Sequence, residues 1–366
     1  MTRQLVKLEP PGEIIREELD ARGWTQADLA EITQRPVPAI NEIVNGKRKI
    51  TSKTARELEA AFGVSAQFWL NLETNYQLSL STGSDATTER AKLMGYAPIK
   101  EMQRREWLPT TSSIDELRDA VLSFFRVHSL DESPLLTAAF RQSAEQVTSS
   151  HVAWCTRAMQ KAAAQRVQAF RPSRAEELRS RLRGLAAHAE EIRRVPSILA
   201  EFGIRFVVIK HLQSTKADGA TLWLDVESNA MPVIVLSLRY GRIDNFWHTL
   251  CHEVSHVVHG DSFRLDVDLA DATVGGAKDE IEERANEEAA ATLIPPDELQ
   301  SFILRKRPYF SAKSIIQFAN KISIHPGVIV GQLQYKKAIK YSHSNHMLIS
   351  VRDIINETSV TDGWIM

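Results

Sequence analysis

The chain has 366 residues, of which 43% are hydrophobic and 25% are charged, and its formal net charge at pH 7 is −1. This length and composition predict a globular protein of two or three domains and do not fit a fibrous or disordered chain. A net charge near zero excludes a global attraction to nucleic acid or acidic membranes, so any DNA contact must come from a local patch.

The expected location is the cytoplasm. The first residues, MTRQLVKLEPPGE, lack the apolar centre of a signal peptide, and no apolar run is long enough to cross a bilayer. The only two cysteines, Cys155 and Cys251, lie far apart and do not suggest a disulfide framework.

The N-terminal region, residues 1–78, contains several short amphipathic helical patterns separated by turn residues. Thr25 and Thr51 stand where they can cap two of these helices. On the third helix, Ile40 and Val44 face a core, so its outward residues and the basic turn that follows are available for contact with a partner.

The third helix and its turn have a chemistry that suits DNA. Outward amides match adenine edges, apolar groups match thymine methyl groups, and a basic turn matches phosphates. The predicted DNA-binding residues are Gln26, Arg35, Val37, Pro38, Asn41, Asn45, Lys47 and Arg48. Two plainer alternatives are a helical bundle with a solvated basic turn and a bundle that docks a partner protein such as a toxin.

Residues 11–78 resemble the phage-repressor-like XRE family and, within it, the HigA-type antitoxins. The matching motifs are T-Q-x-x-L-A, R-P-V, I-N-E-I-x-x-G-K and I-T-x-x-T-A, followed by FWLNLETNYQL. The resemblance implies a helix-turn-helix domain whose third helix enters the major groove of double-stranded operator DNA, and a homodimer. Gln34 stands where many relatives carry a glycine, which predicts a tighter or less regular turn.

The middle of the chain, residues 79–194, is predicted to be a linker followed by a helical region. SLSTGSDATTERA at 79–91 is rich in small polar residues and interrupts the helical periodicity. From there to residue 194 the chain is rich in Ala, Arg and Glu with long 3.6-residue periods, and it contains no chemical motif.

The residue pattern changes from helical to strand-like after Pro196. Short β-branched segments bounded by Gly, Asn or Pro predict strands at 203–210, 219–225 and 231–238. Helices are predicted at 243–259, ended by Gly260, and at about 278–293. The predicted fold class is therefore multidomain, with an all-α helix-turn-helix head, a helical middle, an α+β domain at 195–345 and a polar C-terminal tail at 346–366.

The helix predicted at 243–259 carries a candidate zinc site. His252 and His256 are one turn apart, about 6 Å along the axis, so both imidazoles can bind one cation, and nitrogen ligands favour zinc. Glu253 is placed to act as general base and acid towards a zinc-activated water. A third ligand is needed, and a straight helix cannot bring His248 or His259 to the same ion as this pair.

The favoured third ligand is Glu282 on the following helix. Asn286, four residues later, shares its helical face and is positioned to orient the Glu282 carboxylate. Without the upstream histidines, the acidic stretch around Glu282 would be an exposed helix N-terminus that is stabilised by the helix dipole.

HEVSHVVHG, followed by E-x-x-A-N and a small-residue helix that ends in L-I-P, resembles the ImmA/IrrE family of zinc metallopeptidases. The resemblance covers about residues 195–345 and implies a gluzincin-like metallopeptidase domain. In it, His252, His256 and Glu282 would bind zinc, and Glu253 would be the general base. His325 lies in a stretch that the resemblance places near the cleft, where it could stabilise an oxyanion, although a histidine before proline is often an ordinary turn residue. Glu288 departs from the family pattern, which usually has an aromatic residue at this position.

The predicted function is a DNA-binding transcriptional regulator, similar to an antitoxin or repressor, that carries a zinc-dependent peptidase domain. The resemblance implies a regulatory protein, a cognate toxin or repressor, as its partner or substrate. The alternative is a HigA-like antitoxin or repressor without proteolytic activity, whose C-terminal domain senses metal or a ligand.

Overall fold

The computed structural model describes residues 9–80, 85–140, 147–213, 215–225, 230–261, 264–267 and 280–364. The chain divides into two compact units, Met1–Arg90 and Ala91–Met366. In the described ranges, no helix combines the length and the apolar character that a membrane crossing requires.

The first unit, here called the head, is helical, as predicted. Its helices are α1 Pro11–Arg22, α2 Gln26–Ile32, α3 Val37–Val44, α4 Ser52–Phe62 and α5 Ala66–Leu80. Both predicted caps are confirmed, because the hydroxyl of Thr25 accepts the amide of Asp28 and that of Thr51 accepts the amide of Thr54. The buried side chains of Ile40 and Val44 seat α3 on the core of the head.

The turn between α2 and α3 is a regular left-handed helix end. Gln34 has a φ of 52°, a conformation that costs a residue with a Cβ about 1–2 kcal/mol. The amide of Gln34 donates to the carbonyl of Glu31, and the amide of Arg35 donates to that of Ala30, as in a Schellman motif. The prediction of an irregular turn is therefore wrong, since Gln34 adopts the glycine conformation itself.

The second unit surrounds a small sheet with helices. Its helices are α6 Asp85–Tyr96 (which begins in the head), α7 Ile99–Arg104, α8 Ile114–Phe125, α9 Leu135–Phe140, α10 Ser149–Ala163, α11 Ala175–Leu185, α12 Val195–Glu201, α13 Ile243–His259, α14 Glu280–Leu293, α15 Pro296–Lys306, α16 Ala312–Ile322, α17 Pro326–Tyr335 and α18 Arg352–Asn356. Its strands are β1 Arg205–Val208, β2 Ala217–Trp223, β3 Pro232–Leu236, β4 Arg264–Val267 and β5 Val360–Thr361.

The sheet is mixed and has the strand order β4-β2-β3-β1-β5. β1 pairs in parallel with β3 and β5, whereas β2 pairs antiparallel with β3 and β4. All residues of β1, β2 and β3 are buried, so helices, among them α10, α12 and α13, cover the sheet. The three predicted strands are confirmed, and β2 lies against α13, which carries the two candidate histidine ligands.

Two segments that were predicted to be a linker and a C-terminal tail contain helices or a strand. Within the linker predicted at 79–91, α5 continues to Leu80 and α6 begins at Asp85, while 81–84 lie outside the described residues. The tail predicted at 346–366 contributes α18, where Ile355 is buried, and β5, which extends the sheet. The sequence did not reveal these elements, because both segments are polar in composition. Few apolar residues are needed to pack an element at the edge of a fold.

The helical middle and the α+β segment share one core, although the sequence predicted a boundary at residue 194. Trp154 of α10 is fully buried, and its indole nitrogen donates to the carbonyl of Ile209 just after β1. The middle helices therefore cover the sheet and do not form a separate layer.

Candidate functional site

α13 begins after Arg242 and ends at Gly260, whose φ of 65° stops the helix in the left-handed conformation, as predicted. Its buried residues Phe246, Trp247 and Leu250 form the apolar face expected to seat the helix. This packing leaves His252 and His256 directed towards α14.

Three potential ligand atoms converge between α13 and α14. The Nε2 atoms of His252 and His256 are 3.0 Å apart. Oε2 of Glu282 lies 3.2 Å from Nε2 of His252 and 3.5 Å from Nε2 of His256. Both imidazoles are fully buried, and Glu282 is partly exposed. The structure thus brings together the three residues that were predicted to bind zinc.

The other ring nitrogen of each histidine faces an acceptor. Nδ1 of His256 lies 2.8 Å from Oδ2 of Asp261, which is also bonded to Arg284. Burial raises the pKa of Asp261, but the hydrogen bonds from His256 and Arg284 outweigh it and hold that pKa below its usual value. An ionised Asp261 favours the tautomer of His256 that carries its proton on Nδ1.

Asn286 orients histidines in this structure. Its Oδ1 lies 3.2 Å from Nδ1 of His252 and 3.2 Å from Nε2 of His248, so it accepts from both rings. The sequence predicted that Asn286 would orient Glu282, but its amide oxygen instead faces two histidines of α13.

These contacts determine what the three converging atoms can bind. If Asp261 and Asn286 each accept an Nδ1 proton, both Nε2 atoms present lone pairs, and they face a carboxylate oxygen. Three acceptors at 3.0–3.5 Å repel one another unless a cation, a proton or a metal ion, lies between them. Ligand atoms arranged tetrahedrally around zinc at its usual bond lengths stand about 3.3 Å apart, so the observed spacing fits that ion.

Glu253 is held against the sheet next to this group. Its carboxylate is buried, and Oε2 accepts the hydroxyl proton of Thr221 on β2 at 2.7 Å. A Cβ at Gly219, on the same strand, would lie 2.2 Å from Oε1 of Glu253. Glycine at 219 is therefore required for the carboxylate to occupy this position.

The remaining candidate histidines have other contacts. Nε2 of His259 lies 2.9 Å from Oε1 of Glu288, which fits its exclusion as a ligand. His325 caps α17, where its Nδ1 accepts the amide of Gly327, and burial followed by the charge of His188 lowers its pKa. A cap is the plainer of the two roles considered for His325, and its contribution to an oxyanion site stays a prediction.

Sequence reasoning missed several residues of this site. Asp261 comes directly after the Gly260 helix end, and a carboxylate five residues beyond the second histidine was the available clue. Arg264 on β4, whose Nη1 lies 3.5 Å from Oε1 of Glu282, and Thr221 come from separate strands. Nothing in their local sequence marked either one, because only the folded sheet places them here.

On the head, a row of exposed amides joins α2 to α3. Nδ2 of Asn41 donates to Oε1 of Gln26 at 3.1 Å, and Nδ2 of Asn45 donates to Oδ1 of Asn41 at 3.0 Å. Nη2 of Arg16, which the sequence did not single out, donates to Oδ1 of Asn45 at 2.9 Å. The outward residues predicted on α3 and its turn are exposed: Val37, Pro38, Asn41, Asn45, Lys47 and Arg48.

Arg35 has a structural place, contrary to its prediction as a DNA contact. Its Nε lies 2.5 Å from a carboxylate oxygen of Glu57, and its Nη2 donates to the hydroxyl of Thr54 at 3.0 Å. Only 18% of its side chain is exposed. The motif R-P-V could not show this, because the two partners lie 19 and 22 residues further along the chain.

Residues 15–69 match a family model described as helix-turn-helix, HTH_3. Over 72 residues, 19% of this chain and 67% of the relative, the chain is 44% identical to virulence-associated protein I of Dichelobacter nodosus. It is 40% identical over 81 residues, 22% of the chain and 70% of the relative, to virulence-associated protein A' of the same organism. It is 30% identical over 69 residues, 19% of the chain and 73% of the relative, to the uncharacterized HTH-type transcriptional regulator YddM of Escherichia coli (strain K12). No solved structure matches the chain significantly.

The family-model match lies in the head, from Ile15 within α1 to Trp69 within α5. The chain belongs to the helix-turn-helix family through this part. A helix-turn-helix domain supports binding to double-stranded DNA.

Proposed function

We propose that this protein is a DNA-binding transcriptional regulator whose second unit carries a zinc-dependent peptidase site acting on a regulatory protein. The observation that supports the first half is the family match over the head. The observation that supports the second half is the convergence of His252, His256 and Glu282, with the carboxylate of Glu253 beside them.

In the DNA-binding half, the row formed by Gln26, Asn41 and Asn45 faces base edges. Amide side chains pair with adenine in the major groove, and the exposed Val37 and Pro38 suit a thymine methyl group. Lys47 and Arg48 contact phosphates, although Arg48 also lies 3.3 Å from Glu42 and is partly neutralised. Binding as a homodimer to a palindromic operator is part of this proposal.

In the peptidase half, His252, His256 and Glu282 would hold zinc, and Asp261 and Asn286 would keep the two rings in the tautomer that binds it. Zinc at this position supplies a Lewis acid that polarises a peptide carbonyl and lowers the pKa of water. Glu253, oriented by Thr221, takes a proton from the attacking water and delivers it to the leaving amine. The resemblance to the ImmA/IrrE metallopeptidases suggests a cognate repressor or toxin as substrate.

A second function is favoured by one observation, the complete burial of His252, Glu253 and His256. A site enclosed in this way suits a metal that is sensed or structural, in a repressor or antitoxin without proteolytic activity. Under this alternative, the metal adjusts the folding or the DNA affinity of the protein and no peptide bond is cut.

The variant Glu253→Gln separates the two functions, because it keeps the size of the side chain and removes its basicity. The peptidase proposal expects unchanged zinc content and DNA binding, with cleavage of the partner protein lowered by about 10²–10⁴-fold. Glu283→Gln, an exposed carboxylate on α14, is the matched control and should cleave normally. Target turnover in cells that is equal for the parent and Glu253→Gln would contradict the peptidase and favour the metal-sensing repressor.

A further inference from the structure

The charges of this chain are distributed very unevenly. Residues 299–352 contain nine lysine and arginine residues and no aspartate or glutamate, in a chain whose net charge is −1. Protein surfaces normally mix both signs, so a stretch of this length without acidic residues departs from an ordinary solvated face.

Six of these nine cations lie in two segments of the second unit, 306–313 between α15 and α16 with the adjoining helix ends, and 336–340 after α17. Seven of the nine are exposed and form no ion pair with any acidic residue in the described ranges, and one of these, Arg305, donates its Nε to the carbonyl of Ser301 at 3.2 Å. The other six are Lys306, Arg307, Lys313, Lys336, Lys337 and Lys340. By contrast, Lys321 pairs with Glu298 at 2.7 Å. We call these six residues the basic surface.

One hydrogen bond joins the two segments, because Nε2 of His343 lies 2.7 Å from the carbonyl oxygen of Phe310. Within the second segment, Nε2 of Gln334 donates to the carbonyl of Tyr341 at 3.1 Å and to that of His343 at 3.3 Å. The turn at 335–343 is therefore fastened to the segment at 306–313, so the two groups of cations lie on neighbouring segments.

Exposed tyrosines lie among these cations. Tyr309 is 85% exposed and Tyr341 is 61% exposed, and each is within two residues of an arginine or lysine of the basic surface. Cations interleaved with exposed aromatic rings are typical of surfaces that bind nucleic acid.

The head by itself has little electrostatic attraction for DNA. Its residues 9–80 include eleven acidic and eight basic side chains. Affinity for DNA depends strongly on the number of phosphates that a protein neutralises. Cations elsewhere in the chain would therefore add to the few phosphate contacts that the head supplies.

We propose that the basic surface is a second DNA-binding site, which contacts the phosphate backbone without reading sequence. α3 of the head then selects the operator, and the basic surface raises affinity for any duplex that the head engages. The inference rests on the DNA-binding half of the proposed function and is independent of zinc.

The test uses the full chain and a fluorescein-labelled, mixed-sequence duplex of about 40 base pairs, with anisotropy measured from about 50 to 200 mM salt. The variant replaces Arg307, Lys336, Lys337 and Lys340 by glutamine. The control replaces Lys100, Arg104, Arg166 and Arg171, which are exposed cations of the second unit outside the basic surface, by glutamine as well.

The variant should bind this duplex about tenfold or more weakly at 0.1 M salt, and its plot of log affinity against log salt should be shallower by about three to four units, since each lost phosphate contact lowers the slope by about 0.9. The control should keep both the affinity and the slope of the parent. Equal slopes in variant and parent, or an equal loss in the control, would overturn the second site while leaving the proposed function intact.

Two further outcomes identify what failed. Unchanged DNA binding by the variant, together with lost binding to polyglutamate, would assign the basic surface to an acidic protein and overturn the inference. A parent that binds no duplex even at low salt would remove the DNA-binding half of the proposed function, and the second site with it.

Discussion

The head and the metal-site region of the second unit differ in how far apart their candidate functional residues lie in the sequence and in how exposed those residues are. The candidate DNA contacts on α3 and its turn lie between Val37 and Arg48, a short stretch of sequence, and they are exposed. The candidate metal site draws Thr221, His252 and Glu282 from a strand and two helices, and its histidines are fully buried. One short stretch of sequence can form a surface that contacts another molecule. A buried polar site needs hydrogen-bond partners from distant parts of the chain, and only the fold brings these together.

The same difference predicts how substitutions act in the two regions. On the head, a change at an exposed residue should alter binding and leave stability nearly untouched. At the buried site, a change in an orienting residue should alter the affinity for metal even though that residue is not a ligand.

The largest effect is expected for Asp261→Asn. The charged acceptor of His256 Nδ1 is lost, so the tautomer that presents Nε2 is held less firmly, and affinity for zinc should fall by about 10–100-fold. Competition with a fluorescent chelator measures the change, with the exposed Asp297→Asn as control. Equal zinc affinity in parent and Asp261→Asn would mean that this contact does not orient the ring.

Arg35→Ala tests the contrast on the head, where the structure and the sequence prediction disagree. Losing the guanidinium leaves the Glu57 carboxylate without its ion-pair partner and removes one hydrogen bond from Thr54, so stability of the head should fall by about 1–3 kcal/mol. Lys47→Ala should lower DNA affinity with little effect on stability. Segment-resolved hydrogen exchange in the full chain follows α1–α4, and a folded Arg35→Ala protein that loses operator contacts would restore Arg35 as a DNA contact.

Glu288→Gln probes the contact between α13 and α14. Burial alone would raise the pKa of Glu288, but hydrogen bonds from Ser255 and His259 and the charge of Arg179 lower it below its usual value of 4.5. A lowered pKa contributes stability above about pH 4.5, and this is lost as pH falls through the native value, because the unfolded chain binds the proton first.

The parent should therefore be more stable than Glu288→Gln by about 1–2 kcal/mol at pH 7, with the difference shrinking below about pH 4.5. Thermal unfolding at several pH values measures it. A stability difference that is independent of pH would show that the charge of Glu288 has no part in it.

The smallest effect is expected at Gln34→Gly. Glycine adopts the left-handed conformation of this turn without steric strain, so the head should gain about 0.5–1 kcal/mol, after allowing for the greater freedom of glycine in the unfolded chain. Hydrogen exchange of α2 and α3 measures the gain. A loss of stability would show that the side chain of Gln34 makes a contact that outweighs the strain.

Sequence reasoning was most successful where the periodicity is strong. It placed α13 at its observed ends, and a four-residue spacing correctly put His252 and His256 on one face of that helix. It failed for side chains whose hydrogen-bond or ion-pair partners lie far away in the sequence. Asn286 binds His252 and His248, and Arg35 binds Glu57, because burial forces each polar group to its nearest acceptor or donor.

The most direct measurement of the central claim is the zinc content of the purified full chain and of His252→Ala, by mass spectrometry after dialysis against metal-free buffer. Convergence of His252, His256 and Glu282 on one cation predicts about one zinc per parent chain and a large loss in the variant, while far-ultraviolet circular dichroism of the two stays alike. A parent without zinc after growth in zinc-containing medium, or equal zinc in both proteins, would contradict the account.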